Sequence, residues 1–309
     1  MSNDNFQKCC NNPNRVKYSI THDPKPIQLT KGLFKAIEYL LWYVPDISSA
    51  QSEKSETADL ISNKLLNDFL FEYIMKLCGL TDSDVMWVES GEIPKSLCDY
   101  YQNDMCTSCQ KLILSQTKNR TKTECMLGHI RNSIAHGRFT VCNGMLVSFD
   151  TNPRRKKSNS PISEYTAIIK IKPNKLLGTL RELDSGLTKQ KIYEYAFKKL
   201  HYKIVPQTSL ENSLFKGNKK FIFNFILSKQ QRLYAVELKV SKDKRYIYPK
   251  TLALLIKRFK TINNDICTPV IIIDTARLTV AEKKQLTDEN IKILDINSMN
   301  SLLNGNDPL

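Results

Sequence analysis

Residues 121–149 read TKTECMLGHIRNSIAHGRFTVCNGMLVSF, and this stretch decides the first half of the fold. The apolar spacing predicts a helix over 121–136 that ends at Gly137, because glycine readily takes the left-handed conformation that closes a helix. Residues 139–149 then alternate around an Asn-Gly pair, which favours the two-residue turn of a β-hairpin. The stretch therefore predicts a helix followed directly by two antiparallel strands.

Three amphipathic helices are predicted upstream of this stretch, over residues 29–44, 55–80 and 94–117. Together with the helix over 121–136 they predict a small four-helix bundle that carries the hairpin as an appendage. We expect residues 1–28 to be an irregular N-terminal segment and residues 29–184 to form this helical domain.

The second half of the chain, residues 185–309, alternates between helix-like and strand-like segments. Their order is one helix, three strands, then helix, strand, helix and strand, which predicts a central sheet with flanking helices. The fold class expected for the whole chain is therefore multidomain, with an α domain followed by an α/β domain.

The charge of the chain is concentrated in one segment. Residues 185–260 hold 18 Lys and Arg against 4 Asp and Glu, a net charge of +14, whereas the whole chain carries +15. Such a local excess favours a polyanionic partner, most simply nucleic acid. A lysine-rich solubilising surface would have the same composition.

The sequence predicts neither a signal peptide nor a membrane span. The first ten residues have neither a cationic nor an apolar signal region, and the apolar runs are too short to cross a bilayer. We expect a cytoplasmic protein with no membrane partner, in which the nine cysteines are reduced thiols or metal ligands.

Three residues near the end of the 121–136 helix have the chemistry of a nuclease. Histidine can act as an acid or a base near neutral pH, and arginine can clamp phosphate oxygens. Arg131 and His136 diverge by about 140° on a regular helix, whereas Asn132 shares the face of His136. RNA supplies its own nucleophile, the 2′-OH, so a two-fold axis that brings two such pairs together would form a site that needs no metal.

The segment HIRNSIAHGRF, residues 129–139, resembles the signature of the HEPN (higher eukaryotes and prokaryotes nucleotide-binding) family over roughly residues 29–183. The resemblance implies a homodimeric, cofactor-free endoribonuclease that leaves a 2′,3′-cyclic phosphate, with Arg131 and His136 as the catalytic pair and Asn132 as its accessory residue. It also implies a toxin or phage-defence role, with RNA as substrate and an antitoxin as a further partner. The alternative is a HEPN module that dimerises without catalysis.

A second candidate site lies in the strand AVELKV, residues 235–240, where Glu237 and Lys239 share one face. Two charges in an apolar strand are costly unless they are paired or used, and a carboxylate beside an amine is suited to hold Mg²⁺ and orient water. Roughly residues 188–297 resemble the PD-(D/E)xK restriction-endonuclease-like family. Asn224 stands where that family has an acidic residue, so the resemblance implies a substitute ligand, either Glu194 on the first helix or Glu211.

This resemblance leaves three interpretations open. The domain is a Mg²⁺-dependent DNA endonuclease, with the HEPN part as its dimerisation module, or a degenerate fold that binds DNA or another nucleic-acid trigger, or an unrelated sheet with a cross-strand ion pair. Basic residues that follow the strand are the predicted nucleic-acid contacts: Lys242, Lys244, Arg245, Lys250, Lys257 and Arg258. A solvated basic helix would have the same pattern.

A zinc site is the last candidate. Cys106, Cys109, Cys125 and His129 have the spacing C-x2-C-x15-C-x3-H, and three thiolates with an imidazole can bind zinc. Buried cysteines of an ordinary core are the alternative. The sequence assigns no role to Cys9 and Cys10.

Overall fold

The structure is a computed structural model that describes residues 5–11, 15–17, 29–43, 56–89, 93–103, 105–151, 165–185, 188–216, 221–239, 249–303, 306–307 and 309. The chain forms two compact units, Met1–Ser62 with Leu70–Leu187, and Asn63–Phe69 with Thr188–Leu309. We refer to them as unit 1 and unit 2. No helix in these described ranges has the length and apolarity that a membrane span requires.

A mixed sheet forms the centre of unit 1. Its described part has five strands, which in order across the sheet are β2 (Val85–Val88), β4 (Lys111–Ser115), β7 (Tyr165–Ile171), β6 (Met145–Thr151) and β5 (Phe139–Cys142). The β2 and β4 strands are parallel, and the other neighbouring pairs are antiparallel. A separate two-stranded ladder pairs β1 (Arg15–Val16) with β3 (Met105–Cys106).

Helices lie on both faces of this sheet. The helices between residues 31 and 185 are α1 (Lys31–Tyr43), α2 (Glu56–Ser62), α3 (Asn67–Cys78), whose first three residues belong to unit 2, α4 (Lys95–Asn103), α5 (Lys122–Ala135) and α6 (Pro173–Ser185). The α4 helix shares a core with Val147 and Phe149 of β6. His129 of α5 instead contacts Asp150 of the same strand. Because neighbouring side chains of a strand point to opposite faces, α4 and α5 lie on opposite sides of the sheet.

The predicted four-helix bundle is therefore wrong as an architecture. The segment expected as one helix over 94–117 is α4 followed by the strands β3 and β4, and the expected helix over 55–80 is interrupted at Asn63. All five residues of β4 are buried, because this strand lies inside the sheet with a neighbour on each side. A strand buried on both faces has no alternation, and a short continuous apolar run does not distinguish it from a buried helix.

The local predictions around the helix end are confirmed. The α5 helix ends at Ala135, and Gly137 has φ of +65°. The hairpin of β5 and β6 turns at Asn143 and Gly144, whose φ values of 49° and 75° are those that a tight hairpin turn requires. The helix end and the hairpin turn are therefore determined by the residues of this stretch itself.

Unit 2 has the mixed helix and sheet content that the sequence predicts. Its described sheet runs β8 (Lys203–Ile204), β9 (Phe225–Lys229), β10 (Arg232–Lys239), β11 (Cys267–Ile273) and β12 (Lys292–Leu294), in chain order. The β9 strand is antiparallel to both of its neighbours, β8 and β10, whereas β10, β11 and β12 are parallel. Its helices are α7 (Lys189–Lys199), α8 (Glu211–Leu214), α9 (Pro249–Phe259), α10 (Val280–Asp288) and α11 (Ile296–Leu303).

Helices also pack on both faces of the second sheet. The α9 residues Leu252 and Phe259 share a core with Ala235 of β10. Phe197 of α7 contacts Phe225, which pairs with the residue after Ala235 and so faces the other way. The sheet therefore lies between two helical layers, and Glu237 and Lys239 lie in the carboxyl-terminal half of β10.

Candidate functional site

The end of α5 brings two of the three predicted catalytic residues into contact. Arg131 Nη1 donates a hydrogen bond of 2.8 Å to Asn132 Oδ1. Both side chains are half-buried, and Nε of Arg131 is buried without a partner. His136 is the C-cap residue of the helix and is exposed to solvent. His136 is therefore open to a substrate, whereas the guanidinium of Arg131 is only partly accessible and its Nε is enclosed by the protein.

The local sequence explains why this helix end is well defined. Thr121 and Glu124 form a capping box at the start of α5, which fixes the first turn. At the other end Arg138 N donates to Ser133 O at 2.8 Å, as a glycine-terminated helix end requires. The Arg138 carbonyl then accepts from Phe149 N at 3.0 Å, so the hairpin holds the residues just beyond His136.

His129, about two helical turns before His136, has a structural role. Its Nδ1 lies 2.7 Å from Asp150 Oδ2, and its Nε2 lies 2.9 Å from the carbonyl oxygen of Ser115. Ser115 Oγ is 3.5 Å from the same Nε2, so the three residues resemble a hydrolase triad. A carbonyl only accepts, however, so the ring donates at Nε2 and is not placed to take a proton from the serine. All three residues are buried.

The second candidate site is an internal ion cluster. Glu237 is buried, and its Oε1 accepts from Lys239 Nζ at 2.9 Å and from Arg258 Nη1 at 3.1 Å. Continuing the β9–β10 register by one step places Asn224 opposite Glu237, and Asn224 Oδ1 accepts from Leu238 N at 2.8 Å. One carboxylate is thus shared by two cations and faces a neutral amide, which is a poor arrangement for Mg²⁺.

The other predicted members of this site are placed as follows. Glu194 lies on α7, where it pairs with Lys198 at 2.6 Å and is partly exposed. Arg258 is a correction to the predicted nucleic-acid contacts, because its guanidinium also donates to the Ile222 carbonyl and lies over the rings of Phe221 and Phe223. Lys250 and Lys257 are exposed on α9. Lys242, Lys244 and Arg245 lie outside the described residues.

The predicted zinc ligands are a second correction. In the described part of the chain the group of metal-binding side chains is Cys9, Cys10, Cys106 and Cys109, whose sulfur atoms all lie within 4.8 Å of one another. Cys125 is not in it, because its Sγ accepts from Thr117 N at 3.4 Å, and both ring nitrogens of His129 are engaged elsewhere. The spacing identified the pair at 106 and 109 but not its partners, which lie almost a hundred residues earlier.

The pKa values of these thiols differ strongly. Burial by itself would raise the pKa of Cys106, but hydrogen bonds from the Ser108 amide and from the neighbouring thiols lower it to about 6. Burial and the hydrogen bond to Cys106 raise the pKa of Cys9 to about 11. The cluster therefore concentrates negative charge on one sulfur at neutral pH. A vicinal cysteine pair near a C-x2-C pair was the signal in the sequence that could have pointed to this group.

No family model, no curated protein and no solved structure matches this chain. The residues and geometry of the sites are therefore the basis for inferring a function.

Proposed function

We propose that this chain is a metal-independent endoribonuclease whose active site is formed by Arg131, Asn132 and His136 from two copies of the chain. The observation that supports it most directly is the end of α5, where an Arg–Asn hydrogen bond of 2.8 Å lies next to an exposed histidine. Arg131, Asn132 and His136 match the residues of the HEPN signature. The helices of unit 1, however, lie on a sheet and do not form an isolated bundle.

Each residue has a defined task in this proposal. The 2′-OH of RNA attacks the adjacent phosphorus, while one imidazole takes its proton and another protonates the departing 5′-oxygen. Arg131 stabilises the charge that develops on the phosphorane oxygens. Asn132 holds the guanidinium in place by accepting the hydrogen bond from Nη1. Cleavage leaves a 2′,3′-cyclic phosphate and a 5′-OH.

A single chain supplies one His136, whereas the reaction uses both an acid and a base. A two-fold axis near the end of α5 would provide a second imidazole and a second guanidinium at the same phosphodiester. This requirement is the reason that the proposal includes a homodimer.

Unit 2 is proposed to bind nucleic acid without cutting it. Glu237 is already neutralised by Lys239 and Arg258, and the neutral Asn224 replaces the second carboxylate that a Mg²⁺ site would use. The net charge of +14 over residues 185–260 favours a polyanion. The competing function, a Mg²⁺-dependent DNA nuclease, is favoured by the closeness of Glu237 to Lys239 and by the order of the strands and helices around them.

The test compares RNA with chemically matched substrates that lack the nucleophile. We expect the wild-type protein to cleave RNA without added divalent ions but to leave DNA and 2′-O-methyl RNA of the same sequence intact. His136→Ala and Arg131→Ala should each slow cleavage by about 10²-fold or more. His201→Asn is the matched control, since His201 is also exposed and asparagine tolerates its φ of 65°.

Two results would reject the proposal. One is cleavage that persists in His136→Ala. The other is cleavage of DNA that requires Mg²⁺ and disappears only in Glu237→Ala, which would assign the activity to unit 2. Binding of RNA without cleavage by any form of the protein would favour the HEPN module that only dimerises.

A further inference from the structure

A cluster of four cysteines lies in unit 1, away from the residues assigned to RNA cleavage. Cys10 Sγ is 3.6 Å from Cys106 Sγ, and Cys109 Sγ is 3.7 Å from Cys106 Sγ. A tetrahedral metal with four sulfur ligands at about 2.3 Å requires sulfur atoms about 3.8 Å apart. A disulfide requires only about 2.05 Å. The observed spacing therefore fits a shared metal ion better than a cross-link.

The fold brings the two halves of this cluster together by several independent contacts. The β1–β3 ladder pairs Arg15 with Cys106. Tyr101, which is fully buried, donates from its hydroxyl to the Lys8 carbonyl at 2.8 Å. Gln7 N donates to the Ser83 carbonyl at 3.0 Å. These contacts hold the N-terminal segment against α4 and β3, so Cys9 and Cys10 are fixed beside the C-x2-C pair.

The backbone around the cluster donates to sulfur. Ser108 N lies 3.3 Å from Cys106 Sγ, and the backbone N–H of Cys10 donates to Cys109 Sγ. Amide donors directed at sulfur stabilise thiolates, which are the form of cysteine that binds metals. The loop after β3 is thus arranged for anionic sulfur.

A buried lysine gives the second line of evidence. Lys170 of β7 has no exposed surface, and its Nζ lies 2.6 Å from the Cys106 carbonyl and 3.4 Å from Cys109 Sγ. Among the described residues no carboxylate pairs with it. A buried ammonium is expensive unless a negative charge lies close by. Four thiolates around a divalent ion carry a net charge of −2, which would supply the negative charge that Lys170 lacks and leave a net charge of −1 for the group.

We propose that Cys9, Cys10, Cys106 and Cys109 bind one Zn²⁺ ion in a closed, tetrahedral, structural site. Binding forms four Zn–S bonds and releases the protons of the cysteines that are still thiols, with no change of oxidation state. Four sulfur ligands leave no open position for water or substrate, so the ion would have no catalytic role. Its effect would be to fasten the N-terminal segment to the loop between β3 and β4.

Metal analysis of the full-length protein tests this site. Protein purified under reducing conditions and without chelators should contain one zinc per chain. The X-ray absorption spectrum of that zinc should show four sulfur neighbours at about 2.3 Å and no nitrogen. This measurement needs no variant, so it is independent of any effect of a substitution on folding.

Variants then distinguish this ligand set from the one that the sequence spacing predicts. Cys9→Ser with Cys10→Ser should reduce zinc to near zero, and both residues are only half-buried, which limits damage to the core. Cys125→Ser is the matched control and should keep its full zinc content. Zinc retained in the double variant, zinc lost in the Cys125 variant, nitrogen among the neighbours, iron in place of zinc, or metal-free protein would each overturn the proposal.

Discussion

At the scale of single residues, two histidines of one helix have opposite roles. His129 is buried and bonded through both ring nitrogens, whereas His136 is exposed at the helix end. The sequence spacing made His129 a zinc candidate. In the folded chain both of its ring nitrogens are hydrogen-bonded, to Asp150 and to the Ser115 carbonyl, which belong to the neighbouring strands. His136 keeps the freedom that an acid or base needs.

This contrast predicts different effects on stability. Asp150→Ala should lower the free energy of unfolding by about 3 kcal/mol, because it leaves a buried imidazole without its ion partner. His136→Ala should change it by less than about 0.5 kcal/mol, as expected for an exposed side chain. Tryptophan fluorescence during urea unfolding reports on unit 1, because both tryptophans, at 42 and 87, belong to it. Equal effects of the two substitutions would contradict these roles.

A second prediction at this scale concerns acid. Lys111 is buried and pairs with Asp84 at 2.6 Å. Burial opposes ionisation of Asp84, but the bonds from Lys111 and Thr81 prevail and lower its pKa below the usual value. Because the folded pKa is the lower one, this pair stabilises the fold above about pH 3.9, the ordinary value for aspartate, and the stabilisation is lost as the pH falls through the folded pKa.

The measurement is urea unfolding over a pH series. Asp84→Asn should be less stable than the wild type at neutral pH, and the difference should shrink as the pH falls below about 4. Asp99→Asn is the control, because Asp99 is exposed on α4 of the same unit. A difference between Asp84→Asn and wild type that stays constant with pH would show that the pair does not act through its charge.

At the scale of elements, the sequence was reliable where the signals are local. The α5 helix, the hairpin after it and most elements of unit 2 lie where periodicity and turn residues placed them. The strand β4 was missed because KLILS is buried on both faces and shows no alternation. Its identity as a strand depends on β2 and β7, whose paired residues lie 27 or more positions away in the sequence.

Two glycines in unit 1 predict opposite effects of the same substitution. Gly137→Ala should destabilise unit 1 by about 1 kcal/mol, because φ of +65° is strained for alanine although the added methyl group has open space. Gly178→Ala should stabilise it by about 0.5–1 kcal/mol, because that glycine lies within α6 with nothing in the way of a methyl group. Shifts of the urea midpoint measure both. If both substitutions shifted the urea midpoint in the same direction, the result would contradict the helix boundaries given above.

At the scale of the whole molecule, the proposed nuclease requires two chains. A wild-type chain that pairs with the double variant Arg131→Ala/His136→Ala has only one Arg131 and one His136 at the shared site and lacks the second imidazole that the reaction uses. Refolding the wild type together with an excess of the double variant should therefore remove most of the cleavage activity of each wild-type chain. If each chain instead carried its own complete site, the activity of each wild-type chain would not change.

Removal of metal ions distinguishes the proposed nuclease site from the proposed zinc site. RNA cleavage should continue when Mg²⁺ is simply left out, whereas prolonged removal of zinc should loosen the segment around Cys9 and Cys10. Hydrogen exchange of residues 5–17 reports the second effect without reference to activity. A protein that loses zinc without any change in exchange there would show that the ion does not fasten the N-terminal segment.

The sequence by itself determined the end of α5, the hairpin, the charge of residues 185–260 and the Arg-Asn-x3-His series, since each is set by neighbouring residues along the chain. Only the tertiary structure decided that Cys10 meets Cys106, that Lys170 is buried beside them and that Arg258 shares Glu237 with Lys239. Those contacts join residues up to 96 positions apart. Strand pairing and burial bring these residues together. Both act between distant parts of the chain, so they produce no periodic pattern in the sequence.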